Sequence, residues 1–350
     1  MSNYARNAIR AMSGYVPGEQ PKDRRYIKLN TTENPYPPSP AVAAALHDFD
    51  PTRLLLYPDP EACELRKVAA AQAGVTAECV LCGNGSDDLL TIAARTFVDQ
   101  GGALAHVDPS YSLYPVLAQL QGARATVVPL DADFNLSPDA ARQAAGATLF
   151  LIARPNAPTG NAFPLESMHA LCRTFPGIVW IDEAYVDFAD DDCLAFVRQY
   201  PNVVVSRTFS KSYSLAGLRL GIAYAAPALI TEMVKVKDSY NVSMLTQVVG
   251  LAALKDRDGM RANAERIRAT RATVSKALAG LGFRVPPSQS NFLFCQPPVP
   301  AADYAAGLRR EGILVRYFPG PRTGAFVRIT VGTDAEMAQL LAATQRLLGR

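Results

Sequence analysis

Through the middle of the chain, short runs rich in aliphatic and β-branched residues alternate with stretches of helical periodicity. The runs fall at 102–107, 125–129, 148–153, 178–182, 202–206 and 220–225. Such alternation predicts an α/β layer in which a largely parallel sheet is covered on both faces by helices, and it puts functional residues at strand ends. Further on, 256–280 is rich in Ala, Arg and Glu, spaces Ile267, Val274 and Leu278 helically, and ends in a glycine suited to a C-cap. Four short strand candidates follow, at 283–285, 291–295, 313–316 and 326–330, around a helix-like run at 301–310. They predict a smaller α+β domain.

Upstream, prolines at 35, 37, 38 and 40 interrupt 30–40, which reads as an extended arm or loop over the surface. The expected organisation is an arm at 1–45 that forms part of the small domain, a large domain at 46–250 and a small C-terminal domain at 251–350. A length of 350 residues with 49% hydrophobic and 19% charged residues is ample for such cores.

Composition mainly removes alternatives. A formal charge of +3, with no dense basic block interleaved with aromatics, argues against nucleic acid as a partner. No signal-peptide core or membrane-spanning run stands out, so a cytoplasmic protein is expected. The six irregularly placed cysteines suggest reduced thiols. Cys79 and Cys82 are formally C-x-x-C, but no second pair or neighbouring histidine completes a zinc site, and no metal is expected.

The strongest chemical signal lies at 203–221, where a buried-looking strand runs into a hydroxyl-rich turn holding Lys211. A partly desolvated amine at a strand end, near another cation, favours the neutral form that a Schiff base needs. Thr208 and Ser210 offer hydroxyls and Arg219 a forked guanidinium, so that together they suit a phosphate. An ordinary solvated lysine would be the better reading of a lone Ser-x-Lys; the spacing to Gly217 and Arg219 reverses that.

A second strand delivers Asp182 at its carboxyl end, followed by Tyr185. A carboxylate beside a pyridine nitrogen keeps it protonated and makes the ring an electron sink, although a strand-end Asp also often caps the next helix. Gly85, Ser86 and Asp87 open a predicted helix whose N-terminal amides suit a phosphate. Asn156 and Tyr111 sit in turns after two further strands, where an amide could bond a ring oxygen and an aromatic face could stack.

Taken in order, 30–40, Leu56-Tyr57-Pro58-Asp59, 83–87, 154–160, 181–185, 207–221 and 327–332 resemble the motifs of the histidinol-phosphate aminotransferases, within the aspartate aminotransferase superfamily. The resemblance spans nearly the whole chain. It implies the pyridoxal 5'-phosphate (PLP)-dependent transferase fold, with PLP on Lys211, Asp182 at the pyridine nitrogen, Tyr185 and Asn156 at the ring oxygen, and Tyr111 stacked on the ring. It further implies that Gly85, Ser86, Asp87, Thr208, Ser210 and Arg219 hold the cofactor phosphate. Tyr57 would reach that phosphate from the other subunit of a homodimer. Arg328 and Arg316 match anion contacts for the substrate, and Tyr15 and Asn30 match residues that close over it.

The implied reaction joins histidinol phosphate and 2-oxoglutarate, with glutamate as the amino-acid product. Three positions depart from the common pattern: Arg154, Ala157 and Tyr36, the last expected near the substrate entrance. Rivals on the same framework are an aromatic aminotransferase and a threonine-phosphate decarboxylase. A non-catalytic PLP-binding regulatory module is the rival from another class.

Overall fold

The computed structural model describes residues 4–23 and 25–350. Seven strands form the larger sheet: β2 (Val80–Gly83), β3 (Ala103–Asp108), β4 (Arg124–Pro129), β5 (Leu149–Ala153), β6 (Ile178–Asp182), β7 (Val203–Thr208) and β8 (Gly221–Ala225). They lie in the order β2-β8-β7-β6-β5-β3-β4. All neighbours are parallel except β8, which runs antiparallel to both β2 and β7.

Alternation along each strand sends side chains into two separate cores. Val107, Ile152, Ile181 and Val205 pack on one face, while Leu104, Leu151, Trp180 and Val204 pack on the other. Burial on both faces explains why these strands read as continuous apolar runs. The parallel strands β3, β5, β6 and β7 all end on one side of the sheet, and the turns that leave them carry Tyr111, Asn156, Tyr185 and Lys211.

A second sheet has the order β1-β10-β11-β9, built from β1 (Ile27–Leu29), β9 (Phe292–Cys295), β10 (Ile313–Tyr317) and β11 (Val327–Thr330). The helix Arg257–Gly280 leads into it, and its core gathers Leu29, Val274, Leu278, Leu293, Tyr304 and Ile329. Only three of the four C-terminal strand candidates form. At 283–285 Arg284 makes an isolated bridge to Gln296, and the fourth strand comes from the N-terminus, where β1 pairs in parallel with β10.

The proline-rich segment also departs from expectation, because it is not a loop on the surface. Asn30 and Thr32 are buried, and Asn34 Nδ2 donates to the backbone carbonyls of Lys211 and Ser212. Prolines stiffen a segment whose Asn34 side chain satisfies backbone carbonyls of the loop beneath it, a partnership that no local pattern records. Among the described residues no helix is long and apolar enough to cross a membrane.

Candidate active site

A cleft of about 450 Å³ opens between the two sheets and brings together residues from distant parts of the chain. Its walls include Ser86, Asp87, Tyr111, Asp182, Tyr185, Thr208, Ser210, Lys211 and Arg219 from the large sheet's loops. From the small sheet and the N-terminal arm come Tyr15, Asn30, Arg316 and Arg328. Thirteen of the residues singled out in the sequence therefore face one space.

Lys211 follows β7. Its Nζ donates to Thr32 Oγ1 at 2.5 Å and to the Thr31 carbonyl at 3.3 Å, and it lies 5.4 Å from the centre of the Tyr185 ring. The Thr32 hydroxyl is also 3.2 Å from the Tyr185 phenol. Amine and phenol are thus held by one threonine from the other side of the cleft.

Asp182 ends β6 and is only 5% exposed. Tyr114, itself fully buried, donates its phenol to Asp182 Oδ2 at 3.2 Å. Oδ1 is buried without a partner. Burial, with Asp87 and Glu183 adding like charge, pushes the carboxyl up to about 7 despite the Tyr114 hydrogen bond. An orphaned acceptor on the wall of a cleft calls for a cationic donor, which a protonated pyridine nitrogen supplies.

The opposite end of the cleft is a cradle for an anion. The helix Ser86–Phe97 begins there with its N-terminal amides. Arg219 Nη1 donates to Ser210 Oγ at 3.2 Å, and Thr208 Oγ1 lies 3.1 Å from the same oxygen. Arg219 Nη2 is 3.8 Å from Asp87 Oδ2, and Asp87 in turn accepts from the Tyr111 phenol at 3.1 Å. Two glycines allow this closeness. A Cβ on Gly85, where φ is +88°, would sit 2.6 Å from Arg219 Nη2, and one on Gly221 would sit 2.8 Å from the Ser86 amide nitrogen.

Arg316 and Arg328 are cross-strand partners on β10 and β11, so both guanidiniums enter the cleft together. Phe318 lies 5.3 Å from one and 5.2 Å from the other. Arg328 Nη2 donates to the Asn30 carbonyl at 3.1 Å while its Nε is buried without a partner. Arg316 donates to the carbonyls of Val16 and Pro17. Tyr15 meets Tyr111 edge to face at 5.6 Å, and Asn30 Nδ2 donates to the Glu19 carbonyl.

Gly85, Asn156 and Tyr57 do not line the cleft. Asn156 is completely buried. Its Nδ2 donates to the Pro109 carbonyl and to Thr159 Oγ1, and its Oδ1 accepts from Ser110. Tyr57 is 78% exposed and stacks on Tyr240 at 4.5 Å. Of the three departures, Ala157 lines the cleft. Arg154 turns away, fully buried, to donate to the Phe163 carbonyl and to pair with Asp191 at 2.5 Å. Tyr36 lies not at the mouth but under Arg266, 3.7 Å from its guanidinium, because the arm folds its proline turn onto the long helix.

Sequence reasoning missed Thr31, Thr32, Tyr114 and Phe318. Tyr114 could have been found, since it follows Tyr111 at a helical spacing of three residues. The threonines lay in a segment read as surface. All six cysteines are free; Cys82 is buried, which pushes its thiol up to about 12. Among the described residues no group of three or more His, Cys, Asp or Glu is placed to hold a metal.

A lysine amine, a bare buried carboxylate oxygen and an anion cradle at the C-terminal ends of parallel strands define a transaminase-like site. The chain belongs to the aminotransferase class I and II family, which it matches over residues 24–343. It is 47% identical over 346 residues to the histidinol-phosphate aminotransferase of Synechocystis sp., covering 98% of each chain. To that of Microcystis aeruginosa it is 43% identical over 345 residues, again 98% of each. The crystal structure of histidinol-phosphate aminotransferase from Sinorhizobium meliloti in complex with pyridoxal-5'-phosphate is similar with a TM-score of 0.90 at 25% identity, covering 100% of this chain and 98% of that one.

Proposed function

We propose that this protein is a PLP-dependent transaminase that converts L-histidinol phosphate and 2-oxoglutarate to imidazole acetol phosphate and L-glutamate. The observation that carries the reading is that Asp182, buried with one carboxylate oxygen lacking a hydrogen-bond partner, lines the same cleft as the Lys211 amine. When bound, PLP supplies an aldehyde for an amine and a conjugated ring that accepts the electron pair left at the substrate's amino-bearing carbon.

The chain's own groups divide the remaining work. Asp182 holds the proton on the ring nitrogen. Ser86, with the amides beside it at Gly85 and Asp87, binds the cofactor phosphate together with Thr208, Ser210 and Arg219. Tyr111 would flank the ring and Tyr185 would offer its phenol to the ring oxygen, both from the cleft wall. Asn156 would reach that oxygen only by giving up one of its two present donations, so its support is to hold the turns that carry Ser110 and Tyr111. Lys211 anchors the aldehyde and is a basic group placed to carry a proton at the reacting carbon, with Thr32 orienting its amine.

The substrate assignment rests on the relatives' names and on the paired arginines. Two guanidiniums fixed side by side suit a phosphate ester in one half-reaction and a carboxylate in the other, because the fork geometry serves both anions. Tyr15 and Asn30 close the cleft over the substrate. We place the enzyme in the cytoplasm, a setting in which six free thiols stay reduced. We also propose a homodimer with a shared active site. Leu54, Leu55, Leu56 and Tyr57 form a run more than 60% exposed, and covering it with a second copy would let Tyr57 reach the partner's phosphate site.

Purified Lys211→Ala is expected to lose both the visible absorbance of PLP covalently linked to the lysine and turnover of histidinol phosphate. Retention of both refutes the assignment. Parallel assays with phenylalanine and threonine phosphate, following ketoacid and carbon dioxide release, separate the reading from an aromatic aminotransferase and from a decarboxylase.

A further inference from the structure

Asp182 can serve a pyridine nitrogen only if one particular oxygen faces the cleft and stays ionised, and the group that settles this lies outside the cleft. Tyr114 is on the helix Leu113–Gln121 and has no exposure to solvent. Its phenol donates to Asp182 Oδ2 at 3.2 Å, leaving Oδ1 as the bare acceptor. The ring is wedged edge-on against Tyr111, centroids 5.6 Å apart at 83°, with His106 6.4 Å away on the strand below. A phenol so enclosed has no water to turn to, and a carboxylate so engaged cannot rotate without abandoning a buried donor.

We infer that Tyr114 is a positioning residue: its phenol fixes the Asp182 carboxylate with Oδ1 toward the cleft and thereby keeps the cofactor's ring nitrogen protonated. The inference rests on the PLP reading above. Its logic is that a hydrogen bond donated to the ionised form favours that form. Asp87 and Glu183 oppose it with like charge, and burial opposes it further. With the phenol gone, the shared proton moves from the ring nitrogen toward the carboxylate, and the ring becomes a weaker electron sink. Tyr114 does not line the cleft and so acts only through Asp182.

The test uses holoenzyme carrying PLP labelled with ¹⁵N at the ring nitrogen, which reports pyridinium against neutral pyridine directly. Tyr114→Phe is expected to lower the pH at which that nitrogen loses its proton by about one unit and to weaken equilibrium cofactor binding about tenfold. In an Asp182→Asn background the same change should cost less than about twofold, since no carboxylate charge remains for the phenol to stabilise. An unmoved titration, or an equal loss of affinity in both backgrounds, assigns Tyr114 to packing alone and overturns the inference. Should Tyr114→Phe not fold, 3-fluorotyrosine installed at position 114 keeps the volume and strengthens the donor. It is expected to raise the titration pH, and no rise overturns the inference. A wild-type protein that takes up no PLP at Lys211 overturns the functional reading beneath it instead.

Discussion

The carboxyl of Asp182 should make the cofactor-free protein lose stability as pH rises. In the unfolded chain this group ionises near its ordinary 3.8, whereas burial in the folded protein pushes it up to about 7. Between those values the folded state binds the extra proton, so stability is highest below the unfolded value and falls as pH climbs toward the folded one. The displacement corresponds to on the order of 4 kcal/mol, fully expressed above about pH 8. Asp182→Asn removes the ionisation while keeping an acceptor for the Tyr114 phenol. Urea titrations of both cofactor-free proteins at about pH 4.5 and pH 8 cancel every other titrating group in the difference. The variant should gain on the wild type by roughly 3 kcal/mol between the two conditions, because about 1 kcal/mol is already lost by pH 4.5. Saturating PLP should reverse the order at pH 8, because only the carboxylate pairs with a ring cation, and ligand binding adds its own stabilisation. A difference that does not change with pH would refute the claim that this carboxyl is held raised in an unpaired, desolvated setting.

Two further substitutions probe the cradle and the arginine pair. Gly85→Ala places a Cβ 2.6 Å from Arg219 Nη2 at a backbone conformation that side chains avoid, φ +88° and ψ 170°; displacement of the guanidinium should weaken PLP binding by roughly tenfold or more in equilibrium dialysis, and an unchanged affinity would remove Arg219 from the phosphate site. Arg322 Nη2 donates to the carbonyls of Leu130 at 2.6 Å and Asp131 at 3.0 Å, tying the loop that carries Phe318 to the large sheet's side of the molecule. Arg322→Ala should let Phe318 slip from between Arg316 and Arg328 and raise KM for both anionic substrates about tenfold with kcat changed less than about twofold. Loss confined to kcat would contradict a role through substrate binding.

The elements and the order of the chemistry follow from local patterns along the chain. Strands buried on both faces must be continuously apolar, so β3 and β5 to β8 were legible as runs, and the residues just past them were legible as site candidates because strand ends in such sheets face a cleft. The helix at 301–310 was readable for the same local reason, and it forms at Ala301–Arg310. Lys211 and Arg219 stood out by residue type and spacing, whereas Asp182 read equally as a helix cap until the order of the motifs was considered.

Partnerships between segments far apart in the chain arise only when the chain packs. Thr32 reaches Lys211 across 179 residues, Tyr114 reaches Asp182 across 68, and Thr32's backbone amide finds Thr330 across 298. Each is a buried polar group satisfied by a distant one. The local pattern shows that such a group needs a partner and says nothing of which one it will meet. The same reason accounts for the misread arm. Prolines and polar residues at 30–40 look solvent-bound until β1 docks beside β10 and lays the segment across the cleft, where burial turns an apparent surface loop into a wall of the site.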